Sequence, residues 1–425
     1  MGGAPIVIAL LTIRPSEMIA TMSASRASKQ PVMRGSNASG MRQFNERTVL
    51  QAIRHQGAIP KADLARLTQL STQTVGLIVE RLIDEGLLRK GDRVRGKIGQ
   101  PSVPLSLDPD GAYGLGMQVG RRSLEVLIAD FAGQMRWHWN TRYEYPDPAV
   151  VLPKIAEGLA AAQAAWGTKW DRVVGVGLTA PLSMHQWADV MGDSAGPAIA
   201  RWEHIDLLSE LKRRTPLTVV FAKDTTGACV AELFEGHGRD TQNFLYVFVG
   251  TFVGGGLVLG GQLMSGPQGN AGAIGSMPMG MSKVGHTQSP QQLLAMSSGW
   301  QLEQMLIKAG HSGLLIAEPE VMRSDYTEFT EPWLDQAASG IAMAAASAAA
   351  MLDLDAVVMD GSLDTGLLAA LRERTQLAMQ HYRFEGMRVP QLLAGSVGSH
   401  ARALGGALLP LHAQFFPTQD IFLKT

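Results

Sequence analysis

Short groups of apolar positions separated by turn residues mark the front of the chain, residues 42–108. Val49, Leu50 and Ile53 give one face of a helix that Asn45 can cap, that runs through Arg54 and that Gly57 stops. Pro60 stands where a first-turn proline is tolerated and opens a short helix with Leu64 and Leu67 inward. Ser71 or Thr72 caps a third helix, in which Val75, Ile78, Val79 and Leu82 recur at i, i+3, i+4 and i+7. Gly86 closes it, and Leu87-Leu88 leads into Arg89-Lys90-Gly91-Asp92-Arg93-Val94-Arg95-Gly96-Lys97. Two short helices, a tight turn, a longer capped helix and a basic hairpin make the pattern of a winged helix-turn-helix domain.

From Ala112 the pattern changes to glycine-punctuated strands and helices. Tyr113–Val119 and Leu124–Ala129 read as paired strands around Gly120-Arg121-Arg122, Val150–Trp166 as an Ala-rich helix, and Val173–Leu178 as a buried strand ending in Thr179-Ala180-Pro181. Leu217–Ala222 is a strand followed by Lys223-Asp224-Thr225-Thr226 and a helix to Phe234. A second round has strands Phe244–Val249 and Gly255–Leu259, a helix near Trp333–Leu352, strand Val357–Met359, helix Leu363–Tyr382, strand Gln391–Ala394 and a last helix from Ser399 to about Gln414. This double alternation predicts an α/β body of two lobes over residues 109–425, with ligands at the carboxyl ends of strands in the cleft between them.

The composition sharpens this division. With 425 residues, 46% hydrophobic and 18% charged, the chain is an ordinary globular one of two or three domains, neither disordered nor fibrous. The net charge of −1 conceals an asymmetry: residues 26–100 carry +8 and residues 101–425 carry −9. A basic front on an acidic body is the layout expected where one end meets a polyanion. The single cysteine, Cys229, excludes an intramolecular disulfide and any zinc site of several thiolates. Residues 1–41 are expected to be a disordered leader, in part an over-extended gene start, with Met18, Met22, Met33 and Met41 as alternative starts. The apolar run Ala4–Ile13 is too short to span a bilayer and lacks the basic flank of a secretory signal, so a cytoplasmic protein with no membrane partner is expected.

A basic helical front is often only a solvated face. Two features favour DNA here. Ser71, Thr72, Gln73 and Thr74 at the start of the third helix are short enough to approach a major-groove floor, Gln73 being the candidate for a base edge. Arg93, Arg95 and Lys97 alternate along the wing, where one side of a strand can neutralise phosphates, and Gln100 follows them.

Several motifs then carry a family resemblance. The wing ending Ile98-Gly99-Gln100-Pro101 is followed by Tyr113-Gly114-Leu115-Gly116-Met117-Gln118-Val119-Gly120, Gly175-Val176-Gly177-Leu178-Thr179-Ala180-Pro181 and Lys223-Asp224-Thr225-Thr226-Gly227-Ala228. Further on come Val249-Gly250-Thr251-Phe252-Val253-Gly254-Gly255-Gly256 and Asn270-Ala271-Gly272-Ala273-Ile274-Gly275-Ser276. In this order they resemble the repressor branch of the ROK family, which joins sugar-responsive repressors with sugar kinases. The resemblance implies an actin/hexokinase-like, ribonuclease-H-like body and a homodimer or homotetramer.

The departures matter as much. Where the family's kinases place an Asp in the first phosphate loop stands Gln118, followed by Arg121-Arg122. Phe252 replaces a Gly of the second phosphate loop, and the nucleoside-binding Gly pair is Asp360-Gly361. The sugar-holding Asn-Asp pair becomes Lys223-Asp224, a Glu becomes Ala273, a His becomes Ser276, and Leu294 aligns with a second Glu. The zinc knot would need one His and three Cys; between Gly275 and Gly299 there is only His286, so no metal and no cofactor are expected. The reading is a non-enzymatic repressor of carbohydrate genes that binds a double-stranded operator and senses a sugar-like effector through Thr179, Lys223, Asp224 and Ser276. Two alternatives stay open: a sugar kinase with Asp224 as general base, and a regulator governed by a protein partner, its pocket vestigial.

Overall fold

The computed structural model describes residues 38–93, 103–282 and 289–417. Arg95, Lys97, Gln100 and His286 lie outside the described residues.

The front is built from α1 (Ala38–Gln56), β1 (Ile59–Pro60), α2 (Lys61–Thr68), α3 (Thr72–Asp84), β2 (Leu88–Lys90) and β3 (Pro104–Leu107). Asn45 lies inside the first helix rather than capping it: Met41, Arg42 and Gln43 are good helix formers, and the helix runs through this stretch despite Gly40. Gly57 ends it at φ 74°. Leu64 is buried as expected, but Leu67 is 52% exposed; the eight-residue α2 has room to bury only one side. Ser71 caps α3 by accepting from the Thr74 N–H at 3.1 Å, and Val75, Ile78, Val79 and Leu82 are all buried. Strands pair antiparallel in the order β1-β3-β2, a small sheet under the three helices.

The body repeats one topology twice. In the first lobe β4 (Tyr113–Val119), β5 (Ser123–Asp130) and β6 (Met135–Arg142) form an antiparallel meander. Then α4 (Pro148–Trp166) leads to β7 (Val173–Ala180), and α5 (Ala188–Ala200) and α6 (Leu207–Lys212) lead to β8 (Val219–Lys223), giving the order β6-β5-β4-β7-β8. The edge strand β6 was not foreseen; its alternation of half-buried Trp137 and Trp139 with exposed neighbours is the signal that marks it. Helix α7 (Asp224–Glu235) joins the lobes.

The second lobe has β9 (Phe244–Val249), β10 (Val253–Leu259) and β11 (Gln262–Met264), then α8 (Leu293–Ser297), α9 (Gly299–Lys308) and α10 (Thr327–Leu352). It ends with β12 (Ala356–Gly361), α11 (Thr365–Met379), β13 (Gln391–Ala394) and α12 (Ala401–Phe415), in the sheet order β11-β10-β9-β12-β13. In both sheets the first three strands are antiparallel and the last two parallel. This is the expected two-lobed actin/hexokinase-like body.

Helix α12 crosses the first sheet at unusually short range. A Cβ on Gly114, Gly116 or Gly177 would overlap the carbonyls of Ala407, Ala403 or Gly406, and a Cβ on Gly405 would overlap the Gly227 carbonyl of α7. Glycine is required at these positions for packing, not for turning. Residues Asn45–Pro417 form one compact unit, and apolar residues of α1 and α3 share a buried cluster with Phe131, Leu233 and Leu411 of the body.

Candidate functional site

The outward side of α3 presents Ser71, Thr72 and Gln73 to solvent, with Thr74 half-buried. Ser71 and Thr74 are tied together, their hydroxyls 2.8 Å apart, so they fix the helix start while Thr72 and Gln73 project. One turn beyond Gln73, Leu77 is 65% exposed, an apolar group of a kind that can meet a thymine methyl; the sequence spacing contained it, as the position off the buried stripe. Lys90 and Arg93 at the start of the wing are exposed.

At the mouth expected for an effector, β8 ends in Lys223 and α7 begins at Asp224. Asp224 is half-buried, and its Oδ1 accepts from the Thr225 N–H at 2.8 Å. Lys223 turns to Asn270, Nζ donating to Oδ1 at 3.0 Å; burial holds its ammonium below the ordinary lysine value, opposed by the Asp224 charge. The Asn270–Ser276 segment packs on the glycine run of β10, where Thr225 donates to the Gly255 carbonyl at 3.1 Å and a Cβ on Gly272 would overlap Gly256. Ser276 is exposed at the end of that segment. Thr179 does not join them. Its position in β7 has the parity of Gly175 and Gly177, so it faces α12, is fully buried, and donates to the Arg402 carbonyl at 3.0 Å.

The region that would receive phosphates is filled by side chains. Arg121 and Arg122 both pair with Glu303 of α9, which is 1% exposed, and Arg121 Nε also donates to Thr251 Oγ1 at 3.3 Å. Burial pulls the Arg121 guanidinium below its ordinary value, and Glu303 opposes the shift. Phe252 sits between Trp187 and Trp300, ring centroids 5.3 and 6.2 Å away, and Arg121 lies over Trp300 at 5.2 Å. The carbonyls of Gly250 and Thr251 accept from the Gly299 and Trp300 N–H groups that open α9. Asp360 is buried, accepting from the Tyr246 hydroxyl at 2.9 Å and the Gly398 N–H at 3.1 Å; burial raises its pKa above the usual carboxylate range. The side chains around the nucleotide side thus bond to one another, and at the position of the family's nucleoside-binding Gly pair the Asp360 carboxylate occupies the Gly361 and Gly398 N–H groups.

The far ends of α7 and α12 hold the winged-helix front. Arg54 of α1 pairs with Glu235, the last residue of α7, each side chain 8% exposed. Its guanidinium lies over Phe234 at 5.1 Å and over Phe416 at 4.9 Å, while Arg47 donates to the Phe416 carbonyl at 3.1 Å. His412 of α12 packs tilted against Phe234 at 4.6 Å and stacks on Phe416 at 5.8 Å, and burial beside Arg54 and Arg47 pushes it down to about 4. None of these partners, 181 residues apart for Arg54 and Glu235, was foreseen from local pattern.

The donors for the zinc knot are also missing. Cys229, the one thiol of the chain, is fully buried inside α7 with its side chain against Gly256, and burial pushes its thiol up.

Comparison with known proteins agrees with this geometry. The solved structure of a ROK family transcriptional regulator, a homologue of the Escherichia coli MLC protein, superposes with a TM-score of 0.65 at 20% identity over 90% of this chain and 98% of that one. A ROK family glucokinase from Streptomyces griseus, solved with glucose and AMPPNP, gives 0.56 at 19% identity over 70% of this chain and 99% of its own. The xylose repressor of Caldicellulosiruptor bescii is 20% identical over 56% of this chain, a stretch that spans 59% of that repressor. The ROK family pattern matches residues 114–413, and on that match, carried by the doubled lobe topology, the chain belongs to the ROK family.

Proposed function

We propose that this chain is a DNA-binding repressor of carbohydrate-related genes whose operator affinity is set by a sugar-like effector in the body, and that it transfers no phosphate. The observation that carries this reading is the course of α7. Its first residue is Asp224 at the effector mouth and its last is Glu235, paired with Arg54 of the DNA-facing front. Twelve residues make a rod of about 18 Å between the two. Closure of the lobes on a ligand therefore moves the seat of the front, and in a homodimer or homotetramer that changes the spacing of the heads on two half-sites.

Lys223, Asp224, Asn270 and Ser276 supply the polar contacts, and Asp224 accepts hydroxyl hydrogen bonds without acting as a base. With Ala273, Ser276 and Leu294 where the family's larger polar groups stand, the pocket suits a less hydroxylated sugar; a relative is named for xylose, a pentose. Gln73 reads a base edge, Ser71, Thr72 and Thr74 set the helix start against the backbone, and Arg93, Arg95, Lys97 and Gln100 take the wing to the phosphates. The Arg121–Glu303 pair and the Phe252 stack support the absence of phosphoryl transfer, because ATP would have to displace both.

The test uses the full-length protein and DNA from upstream of its own gene, with D-xylose, D-glucose and N-acetyl-D-glucosamine as probes. The expected result is saturable, sequence-selective binding that at least one sugar changes by tenfold or more, with Asp224→Asn losing the sugar response and keeping the DNA affinity. Transfer of phosphate from ATP to any of these sugars, abolished in Asp224→Asn, would establish a kinase instead. Selective DNA binding that ignores every sugar would favour control by a protein partner.

A further inference from the structure

A cluster of two imidazoles and one carboxylate, made of residues outside the effector contacts, lies on the α12 side of the first lobe. Glu125 of β5 is 8% exposed, and two histidines converge on the same oxygen: His138 Nε2 of the edge strand β6 at 3.0 Å from Glu125 Oε1, and His400 Nδ1, the residue before α12, in hydrogen-bond contact with it. The rings of His138 and His400 meet edge to face with centroids 4.8 Å apart, and one ligand atom from each of the three residues lies within 4.8 Å of the others. The strand register explains the convergence. Leu127 pairs with His138, so His138 shares a sheet face with Leu127 and Glu125, and this is the face that α12 covers. Gln118, opposite Glu125 in the ladder and on that face, is fully buried with neither amide atom hydrogen-bonded among the described residues.

We propose that Glu125, His138 and His400 form a binding site for a borderline divalent transition-metal ion of the zinc class. Two neutral imidazoles and a carboxylate are a donor set that suits zinc over magnesium or calcium, which take oxygen donors. Around a tetrahedral ion with bonds of about 2.0–2.2 Å the donor atoms stand roughly 3.3 to 3.5 Å apart. The His138 pair at 3.0 Å has to open by a few tenths of an ångström and the closer His400 contact by more, which the partial exposure of both histidines allows. Three protein donors leave a fourth position for water or an exogenous donor, and the unbonded Gln118 amide is a polar neighbour for it. The site is separate from residues 275–299, where the family's zinc knot falls. A loaded ion would tie the sheet of the first lobe to the start of α12, the helix whose far end packs His412 and Phe416 against Arg54.

The experiment takes untagged, full-length protein stripped with a chelator and titrates it with zinc chloride by calorimetry, then with cobalt chloride followed by visible absorption. The expected outcome is one ion per chain, visible cobalt bands of a four-coordinate N/O site that differ from those of the hydrated ion, and a rise in melting temperature on loading. Replacing His138, His400 or both by Ala should weaken binding at least about tenfold per ligand, the scale seen when even supporting groups of a metal site are lost. His138 lies half-exposed on an edge strand, so His138→Ala should keep the fold, which the apo melting temperature checks. Equal affinity in the native chain and the double variant would overturn the site, as would no binding at 100 µM zinc or binding without any change in the cobalt spectrum; in those cases the three residues form only a hydrogen-bonded cluster.

Discussion

Gln73 and Leu77 stand one turn apart on the open side of α3, held there by the Ser71 cap and by four apolar residues that fix the opposite side. Because Gln73 makes no structural contact that the cap does not already supply, Gln73→Ala should leave stability alone. If it reads a base, specific operator affinity should fall by about 1–3 kcal/mol and discrimination at one base pair should relax, with the salt slope unchanged; fluorescence anisotropy with operator variants measures both. His412 gives a second residue-scale outcome. It faces Arg47 and Arg54 of α1, with Glu235 of α7 beyond Arg54, and its folded value near 4 lies below the ordinary 6.5. The unfolded chain therefore binds more protons between those values, so this group's stabilising effect is complete above about pH 6.5 and is lost as pH falls towards 4, by about 3 kcal/mol in full. The denaturation curves of the native chain and His412→Leu, compared from pH 7 to 4.5, should converge by roughly 2 kcal/mol of that as pH falls.

At the level of elements, α7 and α12 behave as a crossed pair. Their contact through Gly227 and Gly405 leaves no room for a methyl group, and both end under α1. The Arg54–Glu235 pair is the fastening. Removing Glu235 strands a buried guanidinium, so Glu235→Ala should cost about 3–5 kcal/mol in chemical denaturation. Replacing both partners, Arg54→Met with Glu235→Leu, removes the desolvated charges together and should cost less than the single change. The double variant, expected to be the more stable, is the one that asks the functional question: its DNA affinity should no longer follow the effector if the ion pair carries the coupling. A sugar response equal to that of the native chain would assign the coupling to the apolar contacts of Phe234 and Phe416 instead. The same close packing explains Thr179, whose hydroxyl holds the Arg402 carbonyl of α12 rather than facing a ligand.

Across the whole molecule, what was legible in the sequence is what depends on local order. The buried stripe of α3, the Ser71 cap and strands β9 and β13 could be read from neighbours in the chain, whereas the departures at Phe252 and Asp360 are legible only against the motifs of the family the chain resembles. Arg54–Glu235, Arg121–Glu303 and Glu125–His138–His400 could not, because register and crossover bring together residues far apart in the chain. The parity of Thr179 was hidden for the same reason: which face of β7 meets α12 is a tertiary fact. Charge shows the difference in a measurable way. The front sums to +8, yet Arg54 is spent on Glu235, Arg81 on Glu46, and Arg47 on the Phe416 carbonyl. Those cations hold the front together and are not available to DNA. Lys90 and Arg93 are exposed at the root of the wing, so they should carry the counterion release. Each phosphate neutralised contributes about −0.9 to the slope of log affinity against log salt. Lys90→Ala and Arg93→Ala should therefore each flatten the slope by about one per head engaged, weakening all DNA sequences alike, whereas the Arg54→Met/Glu235→Leu chain should keep the native slope. Binding measured from 50 to 300 mM salt decides it: a slope that falls as much on loss of Arg54 as on loss of Arg93 would mean that the front leaves its seat on the body to bind DNA.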